Sequence, residues 1–184
     1  MPDNNPSDLL NQLSTIFYPD RAALGHFEAV PRSAVPEPYR QLLAHEHHMT
    51  VTLEAYYHCQ VAVDVLTTRV LKNDYARTSL LRRHTDQATV QFGIMQIDLG
   101  FLDEPVRREI ESRTIPLGRT LIRHAVLRRV ELISLYRIDP GAMLDDLLAI
   151  PVHQPTYGRT ARIHVDGVPA VDLLEIVNGV GNPD

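Results

Sequence analysis

From Cys59 onward the chain is written in period two. The stretches CQVAVDVLTTRVL, DYARTSLLRR and ATVQFGIMQIDL are each about strand length, and the turn residues Lys72-Asn73-Asp74 and His84-Thr85-Asp86 separate them. Links this short leave no room for a crossover helix, so the three strands are antiparallel neighbours. VLRRVELISLYRI reads as a further long strand, and TYGRTARIHVDGVPAVDLLEIV as a hairpin around Asp166-Gly167. Helical spacing appears elsewhere: at Leu9, Leu10, Leu13 and Ile16, from residue 37 through EPYRQLLAHEHH with a continuation or restart in MTVTLEAYY, in DEPVRREIES, in RTIPLGRTLIRH and in GAMLDDLLA. The Pro- and Ala-rich segment between the first helix and Pro38 reads as a covering loop. These elements predict an α+β fold, a single antiparallel sheet of about five or six strands with helices packed on it.

A chain of 184 residues, 44% hydrophobic and 22% charged, suits one core and one domain over residues 1–184, with residues 1–7 and 179–184 as flexible tails. The N-terminus has no basic segment ahead of an apolar run, and no apolar run approaches the ~18 residues of a membrane span. The expectation is a cytoplasmic protein. Cys59 is the sole cysteine, which excludes an internal disulfide and a cysteine-based zinc cage. His45, His47 and His48 in HEHH lack the helical HExxH spacing, so no metal is expected. Net charge is −5 and gives no field for nucleic acid. The positive charge is nearly all arginine, the side chain suited to gripping carboxylates, with Lys72 the one lysine.

If Asp166-Gly167 fills a two-residue turn, counting outward pairs Val165 with Val168 and sets Glu175 opposite Gly158. Glu175 then stands beside Leu173 and Val177 with empty space across the strand, as in a lined pocket; the alternative is a carboxylate in solvent or paired with an arginine such as Arg162. Arg77 sits mid-strand between Ala76 and Thr78, a poor place for an unpaired cation under two covered faces. Leu117-Gly118 opens a helix, where free N–H groups and a side-chain-free residue admit an anion. Together an arginine, a helix start and a carboxylate would hold a small acidic molecule with a hydroxyl.

HHMTVTLEAYY, YARTSLLRR, TIPLGRTLI, TYGR and VPAVDLLEIV, in this order and at these separations, resemble the chorismate lyase (chorismate pyruvate-lyase) family and its divergent bacterial branch, over about residues 40–178. The resemblance implies helical flaps over a buried ligand, on a fold shared with the effector-binding domains of some bacterial repressors. It implies that Arg77 grips the ring carboxylate, that Glu175 contacts the ring hydroxyl, and that backbone groups at Leu117 and Met49 hold the ligand. Tyr75, Thr78 and Tyr157 stand where better-known members differ. The implied activity is cofactor-free elimination of pyruvate from chorismate to give 4-hydroxybenzoate, a carbon–oxygen lyase of ubiquinone or secondary-metabolite synthesis. Orientation and preorganised electrostatics would carry most of that acceleration. Arg77 and Glu175 are then the catalytic pair, and Met49, Leu117, Gly118 and Arg119 bind substrate, with Arg119 either meeting a second carboxylate or solvated.

Two other readings use the same residues: a non-catalytic domain that binds or senses a small aromatic acid, and a chorismate-converting enzyme with a different hydroxybenzoate product. Sensors of this fold carry a DNA-reading domain ahead of the sheet, and the 35 or so residues before the flap helix are too few for one. The expectation is therefore a standalone enzyme whose partners are small molecules, with neither nucleic acid nor membrane among them.

Overall fold

The computed structural model describes residues 6–124, 128–151 and 154–179. Seven strands form one antiparallel sheet: β1 (Gly25–Val30), β2 (Val61–Leu71), β3 (Asp74–Arg83), β4 (Thr89–Asp98), β5 (Arg128–Pro140), β6 (Thr156–Val165) and β7 (Val168–Val177). Their order across the sheet is β1-β5-β6-β7-β4-β3-β2. Six α-helices join them: α1 (Pro6–Phe17), α2 (Tyr39–Leu43), α3 (Met49–Tyr57), α4 (Glu104–Glu111), α5 (Leu117–Arg123) and α6 (Ala142–Leu148). Of the expected tails, residues 1–5 and 180–184 lie outside the described residues, while Pro6 and Ser7 already belong to α1. Among the described residues no helix is long and apolar enough to cross a membrane.

Helices cover both faces of the sheet, which is why the central strands β3, β4, β6 and β7 are buried almost throughout rather than at alternate positions. On one face α1 and α6 pack Leu9, Leu13, Leu144 and Leu148 against Phe92, Ile94, Leu174 and Ile176. The other face carries two apolar clusters. Val106 and Ile110 of α4, one helical turn apart, and Leu117 and Leu121 of α5 join Tyr75, Met95, Ile163 and Leu173 in the first. The second holds Leu42 and Leu43 of α2 with Met49 and Leu53 of α3 over Leu81, Tyr157 and Val177.

Three features depart from the sequence reading. The segment expected to be a covering loop contains β1, which pairs with β5 from Gly25↔Pro140 to Val30↔Leu135 and adds an edge strand beyond the five or six foreseen. The helical stretch from residue 37 is two helices, broken at residues 44–48. The hairpin carries a bulge: Val165 faces Val168 and His164 faces Pro169, but Ile163 faces Val171, so Ala170 is extra. Pro169, which has no N–H to give the ladder, sits at this irregularity, where proline is tolerated within a sheet. Beyond the bulge every pairing moves by one residue. Glu175 therefore stands opposite Arg159 and not opposite Gly158.

Candidate ligand-binding site

The bulge sets the character of the site. On the face under α3 and α5, Arg159 and Glu175 are cross-strand neighbours, and Arg159 Nε donates to Glu175 Oε2 at 2.7 Å. Arg159 is fully buried at 0% exposure, so its other donors also need partners. They find them in the link between α2 and α3: Nη1 donates to the carbonyls of Leu43 at 3.3 Å and His45 at 2.9 Å, and Nη2 to that of His47 at 3.2 Å. Nη1 also reaches His45 Nδ1 at 3.2 Å, while His45 Nε2 lies 2.7 Å from the Leu42 carbonyl. The tautomer with the proton on Nε2 satisfies both contacts. Burial and then the Arg159 charge hold the His45 imidazole down at about 4. His45 is thus engaged as a neutral acceptor, and among the described residues no group of three or more His, Cys, Asp or Glu side chains could hold a metal ion.

Beside this pair lies a cavity between the sheet and the two flap helices. Its walls include Met49 and Thr50 at the start of α3, Leu117 and Gly118 at the start of α5, Arg77 and Ser79 of β3, Gln91 and Gly93 of β4, and Arg159, Leu173 and Glu175. The cavity is about 60 Å³ as the helices stand. The flaps meet closely at Gly118: a Cβ there would lie 3.2 Å from both His48 Cβ and Thr50 Oγ1.

Arg77 is the charged group of the cavity that has no acidic partner among the described residues. It is 2% exposed, its Nε has no hydrogen-bond partner among the described residues, and its Nη1 reaches the Ile110 carbonyl only at a long 3.5 Å. Burial pulls its guanidinium below the ordinary range and nearby Arg113 acts in the same direction, against an opposing effect of Tyr75. An arginine stays charged even so. A buried cation without an anion is costly, and a bound anion relieves that cost.

Of the sequence-derived site residues, Arg77, Glu175, Met49, Leu117 and Gly118 therefore line one cavity, while Arg119 does not. One helical step past Gly118, Arg119 turns to Glu54 of α3, with which it forms an ion pair, and Glu54 also accepts from the Val61 N–H at 3.0 Å. Sequence reasoning missed Arg159, Gln91 and Ser79. Arg159 lay inside the quoted TYGR motif without a role, and Pro169 was the signal that could have shifted the count toward it.

No protein-family model matches the chain, and no curated protein matches its sequence. The fold is similar to that of PhnF from Mycobacterium smegmatis, with a TM-score of 0.56 at 12% identity over 72% of this chain and 64% of that one. It is likewise similar to the effector domain of PhnF, with a TM-score of 0.51 at 11% identity over 72% of this chain and 89% of that domain. A weaker likeness, with a TM-score of 0.44 at 12% identity, is to the C-terminal domain of the histidine utilization repressor from Pseudomonas syringae pv. tomato, over 65% of this chain and 92% of that one. The chain thus spans a little under two thirds of the length of PhnF.

These findings correct the expectation of a chorismate lyase. The solved structures whose fold this chain shares with a TM-score above 0.5 are PhnF and its effector domain, and no chorismate lyase stands behind the likeness. Within the cavity Glu175, expected to read a ring hydroxyl, is paired through Oε2 with Arg159. The exclusion of nucleic acid, drawn from net charge, is unsupported as well, since this chain matches only part of the length of PhnF.

Two outcomes follow from the Arg159 network. Glu175→Leu is expected to cost about 3–5 kcal/mol by leaving Arg159 buried without its anion, and the double variant with Arg159→Leu to recover much of that loss; urea midpoints across the four members of the cycle measure it. His45 binds its proton near 6.5 when unfolded and near 4 when folded. Stability contributed by its neutral state is therefore full above 6.5 and lost as pH falls toward 4. Thermal melts of His45→Gln should lose less stability than wild type across that window.

Proposed function

We propose that the chain is a non-catalytic effector-binding domain that takes a small organic acid between its sheet and the α3 and α5 flaps, with Arg77 receiving the carboxylate. The observation that carries this reading is the state of Arg77, a cation 2% exposed, facing a cavity and paired with no acid among the described residues. Arg159 is also buried but is neutralised by Glu175, so the surplus positive charge of the cavity floor belongs to Arg77. Met49, Leu117 and Leu173 give the cavity an apolar lining suited to the body of an organic acid. The flap backbone at Met49, Leu117 and Gly118 closes over it, and the likeness of fold to an effector domain supports the same reading.

Titration calorimetry with propanoate and benzoate, each against its neutral amide, tests this. The acids are expected to bind with dissociation constants of about 10 μM to 1 mM, as suits ligands this small, and the amides at least about tenfold more weakly. Arg77→Met should abolish acid binding and raise the stability of the ligand-free protein by about 1–3 kcal/mol, because an apolar chain of similar length replaces an uncompensated buried charge. Equal binding of acid and amide, or acid binding that survives Arg77→Met, would overturn the proposal.

A further inference from the structure

The cavity holds a second unmet group, of opposite polarity. Gln91 of β4 is buried at 6% exposure, lines the cavity, and its Oε1 has no hydrogen-bond partner among the described residues. Buried amide oxygens are ordinarily paired, and one left unpaired beside a cavity is stabilised by a ligand that brings a donor. The strand pleat fixes where this happens. In the β3–β4 ladder Arg77 faces Met95, Ser79 faces Gly93 and Leu81 faces Gln91, so Arg77 and Gln91 lie at two ends of the cavity floor with Ser79 and Gly93 between them. Gly93 lacks a side chain, and the Gln91 amide occupies part of that gap: a Cβ at Gly93 would lie 3.3 Å from Gln91 Nε2. Across the next ladder Gly93 faces Glu175, whose Oε2 is committed to Arg159. The amide is thus held over the floor, between the cation at one end and a carboxylate already in use.

We propose that Gln91 is the specificity-determining residue of the site: its Oε1 accepts a hydrogen bond from an O–H or N–H of the ligand, so the effector is a small acid that carries a second, donor-bearing group, such as a hydroxy acid or an amino acid. The inference rests on the reading of the cavity as an organic-acid site. It adds that Arg77 selects for the acid and Gln91 among acids. A site built around a buried acceptor rejects analogues that lack the donor far more strongly than an apolar wall rejects those that carry it.

The test compares propanoate with 3-hydroxypropanoate, and benzoate with its three hydroxy isomers and three amino isomers, on wild type, Gln91→Leu, Gln91→Glu and Arg77→Met. Wild type is expected to favour at least one donor-bearing acid over its parent by about tenfold, the worth of one hydrogen bond to a buried acceptor. Gln91→Leu should erase that preference and leave the parent acid within about twofold of its wild-type affinity. Gln91→Glu, which keeps the acceptor, should retain the preference as a ratio even where the added charge weakens both members of a pair. Gln91→Leu should also melt at or above the wild-type temperature, since it removes an unpaired polar atom. The inference is overturned if the parent and donor-bearing acids bind wild type equally, if their ratio survives Gln91→Leu, or if Gln91→Leu melts well below wild type. Those results leave the acid site standing so long as Arg77→Met still abolishes binding. If no acid binds wild type, the organic-acid reading falls, and this inference with it.

Discussion

The architecture of the site depends on the burial of Arg159. A guanidinium with no access to water must have an anion for its charge and acceptors for its donors, because each missing partner leaves an expensive polar group behind. Glu175 supplies the anion from the neighbouring strand, and the carbonyls of Leu43, His45 and His47 supply acceptors from the link between α2 and α3. That link leads directly into Met49 and Thr50, the part of the flap that faces the cavity. A segment that would otherwise be a surface loop is thereby tied to the interior of the sheet. His45 completes the arrangement only as a neutral ring, since a second cation there would oppose the charge it accepts from.

How much of this could be read in the sequence follows from how local each signal is. The strands β3 and β4 and the helices α4 and α5 declare themselves within about ten residues, through alternation, short turns and helix starts. β1 does not: in Gly25–Val30 only Phe27 is buried, and its place in the sheet comes from a partner strand more than a hundred residues away. The hairpin lies between these cases. Its turn was legible from Asp166-Gly167, but one extra residue at Ala170 reversed which side chains share a face, and no alternation pattern reveals that in a strand buried on both sides. The site was legible to the same degree. Arg77 stood out as a cation amid Ala76 and Thr78, whereas Arg159 was masked by the register, and Gln91 looked like any polar position of a strand.

The register also decides what kind of chemistry the cavity can offer. With Glu175 opposite a glycine, the floor would present a free carboxylate and a free guanidinium, a pair fit to orient a substrate and move a proton. With Glu175 opposite Arg159, one charge pair is internal to the scaffold, and among the described residues of the cavity Arg77 is the arginine without an acid. A buried cation and an amide oxygen without partners among the described residues each make the empty state less stable than an apolar floor would be. A ligand that satisfies both recovers that deficit on binding, so affinity is gained from strain already present in the ligand-free fold. Recognition of this kind needs no group to change protonation state, and it asks of the flaps only that they open far enough to let the ligand in.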